Sequence, residues 1–306
     1  MLIRVAKKLI EYRHRIEYSL IDSQLMPYTQ KYQKFVIVCG IRTGSTMLCS
    51  LLASHPQTRT FFEVFHRHPG STPFQVAGYR AKSSDPKISY LRQTDPVSFV
   101  NQEVWRRHPE RIRAVGFKLL YTQARNTDRW WNGREFDRWW QQVGRPPTLQ
   151  NAKSDLWSYL RDTPDVYIIH LRRKNLLERV ISTKNAQDTG NWGVGATGGV
   201  GELHRSNQFS LDFQNCAQDF AAIRRMEDEC DDFFSNSTKL NLTYEQLVNQ
   251  PLTTLEKVQD FLKLRLSPLK TETKKQTKKH ISDIVINYSD LREKFLDTQW
   301  HSFFQE

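Results

Sequence analysis

The chain has 306 residues, 45 of them Lys or Arg and 33 Asp or Glu, for a formal charge of +12 at pH 7. Hydrophobic residues make up 38%, enough for one large domain or two smaller ones, and no run approaches the roughly 18 apolar residues of a membrane-spanning helix. The charge excess disfavours cationic partners and selects anionic ones: a nucleotide, an anionic lipid, an anionic glycan or a nucleic acid.

Residues 1–25 read as a basic amphipathic helix, the main part of a segment 1–30 that precedes an α/β domain over 31–306. Leu2, Val5, Leu9 and Ile10 recur beside Arg4, Lys7, Lys8, Arg13 and Arg15. Such a helix either lies on an anionic membrane surface or packs on its own domain. Charges stand where a signal peptide needs its apolar stretch, so a cytoplasmic location is expected, with peripheral membrane contact open through this helix. Cys39, Cys49, Cys216 and Cys230 form no C-x-x-C pair and read as reduced core cysteines.

Residues 35–39 are five continuous apolar residues, a pattern that predicts a buried parallel strand. The chain turns through Gly40-Ile-Arg-Thr-Gly44 and resumes with apolar residues at 47, 48, 51 and 52, one face of a helix that ends before His55-Pro56. A strand, a glycine-bearing turn and a helix leave the first helical N–H groups unpaired at the positive end of the helix dipole, which suits an anion. Arg42 adds a planar fork of donors, and Ser45 and Thr46 add hydroxyls. A nucleotide-triphosphate P-loop reads G-x-x-x-x-G-K-[ST], whereas Gly40 and Gly44 have only three residues between them and no Lys follows. A magnesium-dependent NTPase is therefore disfavoured and no metal site is expected. A capped βα turn of any α/β protein is the plainer alternative.

Residues 58–64 read as a second strand, 67–95 as a long surface loop and 97–107 as a helix. Strands follow at 114–120 and 166–171. Between them, residues 121–150 carry Trp130, Trp131, Trp139 and Trp140 among charges, a set that either stacks on sugar rings or anchors a lid to the core. Asn175 caps a predicted helix with apolar residues at 176, 177, 180 and 181. A glycine-rich loop spans 186–209, and helices are predicted near 211–234 and 251–264 about a strand at 239–244. Five lysines fall in 270–280, and a last helix and the aromatic tail 300–304 close the chain. Alternating strands and helices without an internal repeat predict a single P-loop-like α/β domain with a mainly parallel central sheet flanked by helices.

Four segments together resemble the sulfotransferases that use 3′-phosphoadenosine 5′-phosphosulfate (PAPS), most closely the bacterial carbohydrate enzymes of the trehalose 2-sulfotransferase and nodulation-factor kind. Arg42-Thr-Gly-Ser-Thr-Met-Leu48 resembles the family's 5′-phosphosulfate loop, and Leu171-Arg-Arg with the later Ser182 resembles its 3′-phosphate motif. Gly116-Phe-Lys-Leu-Leu-Tyr and Leu242-Thr-Tyr-Glu-Gln-Leu-Val248 resemble two further segments. The family places one Arg about eight residues before its serine. Here Arg172 and Arg173 lie ten and nine before Ser182, so either is a candidate for the 3′-phosphate.

The resemblance implies PAPS as co-substrate, held by Arg42, Thr43, Gly44, Ser45, Thr46, Arg172 or Arg173, and Ser182, with transfer of a sulfuryl group to a hydroxyl of a glycan or glycolipid. Arg42 would serve the transferring end, and Lys118, midway along an apolar strand, would neutralise charge there unless its head merely reaches the sheet edge. The catalytic carboxylate of the trehalose type matches Glu63, at the expected mouth of the second strand; His66 is the rival base. Two other classes stay open, a different P-loop small-molecule phosphotransferase and a non-enzymatic anion or nucleic-acid binder. The chain shows no RNA- or DNA-reading motif, so nucleic acid is not the expected partner.

Overall fold

A computed structural model of the chain describes residues 2–65, 86–124, 152–189, 208–271 and 280–305. His66, the four tryptophans of 121–150, most of the glycine-rich loop and most of the lysine cluster lie outside them. The strands are β1 (Tyr28–Thr29), β2 (Gln33–Cys39), β3 (Thr58–Glu63), β4 (His108–Pro109), β5 (Ala114–Leu120), β6 (Val166–Arg172) and β7 (Lys239–Thr243). β1 and β4 form a short antiparallel ribbon, and the other five build one sheet in the order β3-β5-β2-β6-β7. Every neighbour pair in that sheet is parallel, as the continuous apolar runs of β2, β5 and β6 lead one to expect.

Side-chain alternation splits the core between the two faces. Val36, Val38, Val115, Phe117, Leu119 and Ile168 enter one apolar cluster. Phe35, Ile37, Cys39, Ala114, Ile169 and Leu171 enter the other. Gly116 stands opposite Phe35 in the register, and a Cβ there would overlap the Phe35 carbonyl oxygen, so the central pair of strands requires a glycine at this point. All four cysteines are free and buried, as expected.

The helices are α1 (Leu2–Asp22), α2 (Ser45–Ala53), α3 (Pro86–Thr94), α4 (Pro96–Phe99), α5 (Leu156–Asp162), α6 (Leu176–Thr189), α7 (Phe213–Phe233), α8 (Tyr244–Asn249), α9 (Pro251–Phe261) and α10 (Tyr288–Lys294). α3 corrects the expectation of an uninterrupted loop over 67–95. Its Ile88 and Leu91, three residues apart, pack on the core, a short stripe that the neighbouring Pro, Gly and Ser masked in composition. The helix expected over 97–107 is α4 followed by a wider turn, Val100–Val104, in which the Trp105 N–H reaches back to the Val100 carbonyl at 2.7 Å. α5 was not anticipated; Asp155 caps it through the N–H groups of Trp157 and Ser158. Asn175 does cap α6, accepting the Glu178 N–H at 3.0 Å, but the helix runs to Thr189, into the stretch expected to be loop. No helix of the described residues is long and apolar enough to cross a membrane.

The topology places the candidate residues. β2 is central, its crossover leads to the β3 edge, and β6 and β7 lie on its other side. Ligands of open α/β sheets bind outside the carboxyl ends of strands where the connections diverge in this way. The loop 40–44, Glu63, Lys118 and Arg172–Arg173 all come from the carboxyl halves or ends of β2, β3, β5 and β6.

Candidate active site

The turn after β2 is held from inside. Thr43 is fully buried and its hydroxyl donates to the Gly40 carbonyl at 3.0 Å. Gly40 lies against the buried guanidinium of Arg179, which pairs with the buried Glu227 at 3.5 Å. Arg42 (φ 58°) and Gly44 (φ 81°) take the left-handed conformation, which gives the turn its tight reversal between β2 and α2. Gly44 at the N-cap has no side chain to cap α2, so among the described residues the first N–H groups of the helix remain available to an anion. Ser45 is buried and Thr46 exposed, so of the two hydroxyls Thr46 faces the open side.

Arg42 does not point straight out of the loop. Its Nε donates to the Ser182 hydroxyl on α6 at 2.9 Å, joining the loop to the segment matched to the 3′-phosphate motif. Burial, with the charge of Arg173 nearby, brings the Arg42 guanidinium down to about 10, still cationic at neutral pH. Arg173 backs this arrangement: its Nη1 donates to the Arg42 carbonyl at 3.4 Å, it pairs with Glu178, and its guanidinium lies 4.4 Å from the Tyr244 ring centroid. Tyr244 in turn rests on Gly44, where a Cβ would overlap the ring. Arg173 Nε is buried and has no hydrogen-bond partner among the described residues.

The two strand-end arginines separate because successive residues of a strand point to opposite faces. Arg172 goes with His170 to the far side, where Asp231 accepts from Arg172 Nη1 at 2.9 Å, His170 Nδ1 at 2.9 Å and Lys239 Nζ at 2.8 Å. Burial would raise the Asp231 carboxyl, but hydrogen bonds from His170 and Lys239 and the charge of Arg172 hold it well below the usual carboxylate range. His170 completes the network by meeting the Tyr121 hydroxyl through Nε2 at 2.7 Å. Arg173 alone of the two therefore faces the loop.

Across the loop, Glu63 and Lys118 form an ion pair at 2.6 Å, with 24% and 5% of their side chains exposed. The pairing of β3 with β5 slips between Phe61 and Glu63, so that Glu63, not Phe62, stands opposite Lys118. A one-residue irregularity of this kind re-aims a side chain. Lys118 Nζ also donates to the Thr46 hydroxyl at 3.3 Å, linking the carboxylate to the start of α2. Burial would lower the Lys118 ammonium, but the Glu63 carboxylate outweighs it and the net shift is upward. The second Glu63 oxygen accepts from Gln123 Nε2 at 2.9 Å. Gln123 is itself buried and oriented, since its Oε1 accepts the Leu120 N–H at 3.1 Å and its carbonyl accepts the Trp157 indole N–H at 2.9 Å.

The structure thus brings Arg42, Ser182 and Arg173 together on one side of the loop and Glu63, Lys118 and Thr46 on the other, while Arg172 is turned away. Sequence reading missed Tyr244, Glu178 and Gln123. Tyr244 lay inside a recognised segment and follows Thr243, which starts a capping box with Gln246 that is readable as T-x-x-Q. Gln123 carries no local signal. Among the described residues no cluster of three or more His, Cys, Asp or Glu side chains is arranged to hold a metal.

The profile of the sulfotransferase family matches residues 34–268, well over half of the chain. Comparison with curated proteins returned no match. Among solved structures the chain is similar to a sulfotransferase from Alicyclobacillus acidocaldarius, at 13% identity and a TM-score of 0.39, over 87% of this chain and 91% of that one. It is also similar to the sulfotransferase domain of the curacin biosynthetic pathway, at 13% identity and a TM-score of 0.35, over 87% and 90%. The glycine-bearing turn after β2 and the basic residues around it lie within the matched span, and the chain belongs to the sulfotransferase family.

Proposed function

We propose that the chain transfers a sulfuryl group from PAPS to a hydroxyl of a carbohydrate or glycolipid, with Glu63 as general base. The observation that carries this reading is the position of Lys118 Nζ, 2.6 Å from a Glu63 oxygen and 3.3 Å from the Thr46 hydroxyl. One cation there adjoins both a carboxylate able to take a proton and the helix start able to hold an anion. The residues also fit a donor with two separated anionic ends. The uncapped start of α2 suits one end, and Arg173, with its unpartnered buried Nε, suits the other.

PAPS when bound supplies an activated sulfuryl group, whose bond to the 5′-phosphate breaks as the bond to the acceptor oxygen forms. Glu63 takes the acceptor's proton as its oxygen becomes nucleophilic, and Gln123 and Lys118 hold the carboxylate while it does so. Lys118, the N–H groups of residues 44–46 and Arg42 stabilise charge on the moving group and the phosphate it leaves. Arg173, with Ser182 and the Tyr244 ring, takes the 3′-phosphate, which has to draw Arg173 from Glu178 and Ser182 from Arg42. Arg172 stays with Asp231.

Calorimetry with 3′-phosphoadenosine 5′-phosphate and with ADP, each with and without EDTA, tests the nucleotide half. The 3′-phosphorylated nucleotide should bind at least about tenfold more tightly, for one charge-assisted contact set, and EDTA should change nothing. Equal affinities would remove the 3′-phosphate assignment. Transfer from sulfur-labelled PAPS to a panel of glycans, glycolipids and phenols tests the acceptor, and labelling of phenols alone would overturn the carbohydrate reading.

A further inference from the structure

We propose that the outward face of α1, continued by Leu25 and Tyr28, is a docking surface for a membrane that contains anionic lipid. The inner face of the helix is anchored to the domain. Tyr18 and Ile21 are buried, and the Tyr18 hydroxyl meets His108 Nδ1 at 2.7 Å. Glu17 is buried and accepts from Arg59 at 3.0 Å and Arg111 at 2.6 Å, while Asp22 pairs with Arg106. Both acids of residues 12–22 are therefore engaged by arginines of the domain.

The opposite face is apolar and basic. Tyr12, Ile16 and Leu20, each four residues from the next, are 64%, 43% and 36% exposed. Leu25, 75% exposed, follows directly, because the chain turns at Gln24 (φ 60°) and the Leu25 N–H reaches the Leu20 carbonyl at 2.8 Å. Tyr28 is 40% exposed under the guanidinium of Arg107 at 4.4 Å. Five of the eleven large hydrophobic residues exposed among the described residues fall in positions 12–28, a concentration in one helix and the turn that follows it. Arg15 and Arg13, the latter with its Nε on Glu17 at 3.2 Å, are exposed beside it, and the sequence continues the helical spacing back through Leu9 and Val5, with Lys7 and Lys8 between and Arg4 before them.

Charge decides what covers this face. Over residues 12–22, a helix with Tyr, Ile and Leu on one side, arginines at its flanks, Glu17 buried and Asp22 paired with Arg106 can bury the apolar row at the acyl boundary while the cations reach lipid phosphates. A second copy of the same helix would bring the arginines of both into one contact. The anchors Arg59 and Arg111 belong to the start of β3 and the approach to β5, the opposite end of the sheet from Glu63. A docked bilayer thus leaves the mouth of the candidate site uncovered.

The full chain is tested by co-sedimentation with phosphatidylcholine vesicles with and without phosphatidylglycerol, at low and high salt, alongside sedimentation velocity without lipid. Binding should require phosphatidylglycerol and weaken with salt. Ile16→Glu with Leu20→Glu should reduce it by about tenfold or more, and Arg15→Glu by several-fold, with an unchanged thermal melt. If the glutamate pair alters the melt, Tyr12→Ser with Ile16→Ser replaces it, with the same expected loss. Absence of phosphatidylglycerol-dependent binding, or equal binding by folded variants, overturns the proposal. So does a wild-type dimer that the variants dissociate without any effect of lipid, which would assign the face to a second copy.

Discussion

Replacing Glu63 by Gln and Lys118 by Met, singly and together, separates the ion pair's structural role from its chemical one. At 2.6 Å and an effective dielectric near 20 the pair attracts by about 6 kcal/mol before desolvation is charged against it. Most of that is offset by burial, so the net value lies far below the gross one. Breaking a fully buried pair costs about 3–5 kcal/mol, and the quarter of Glu63 that is exposed moves the expectation down to about 2–3 kcal/mol for Glu63→Gln, which strands the buried ammonium. Lys118→Met should cost less, about 1–2 kcal/mol, because Glu63 keeps Gln123 and some water. The double variant removes both uncompensated groups, so a coupling of about 1–3 kcal/mol is expected from urea unfolding at constant m.

The alkaline limb supplies a sign that packing alone does not. In the native chain the Lys118 pKa is raised above 10.5, so its contribution is complete below 10.5 and is lost as pH rises through the folded value. In Glu63→Gln burial dominates and lowers it, so stability should rise with pH toward 10.5. Glu63→Gln should also cut turnover by about 10²–10⁴-fold with nucleotide affinity retained. Additive single variants, the same alkaline slope in both proteins, or wild-type turnover in Glu63→Gln would refute the reasoning.

Arg173→Ala should weaken binding of 3′-phosphoadenosine 5′-phosphate by about 1.5–3 kcal/mol in calorimetry, while Arg172→Ala, which leaves Asp231 with His170 and Lys239, should leave affinity nearly unchanged. Gly116→Ala should destabilise the fold by about 2 kcal/mol or more in urea, since the Phe35 carbonyl opposite is fixed in the sheet. Gly44→Ala should instead weaken the nucleotide, because it strains a left-handed residue and displaces Tyr244 from Arg173. Burial pushes the His108 imidazole from 6.5 down to about 3. Below 6.5 the unfolded chain therefore takes a proton that the folded chain refuses, so stability should fall with pH, by about 2 kcal/mol near pH 5, and His108→Gln should flatten that limb.

Local pattern alone determined much of this protein. The apolar runs of β2, β5 and β6, the glycines at 40 and 44, the uncapped start of α2 and the Asn175 cap are each contained within a few residues, and each was legible. Glu63 could be named as a candidate through the family resemblance and its place at a strand mouth, and Lys118 as a charge within an apolar strand, but their pairing depends on a slip of register between Phe61 and Glu63 that no alternation encodes. Which of Arg172 and Arg173 faces the loop likewise depends on partners far along the chain: Asp231 draws one away, and Tyr244, seated on Gly44, holds the other at the loop. Gln123 was invisible because an amide in a turn has no signature until Leu120, Trp157 and Glu63 converge on it. Periodicity specifies elements through neighbours three or four residues apart. Contacts between strand ends 50 to 200 residues apart are decided only when the sheet order and register bring those ends together.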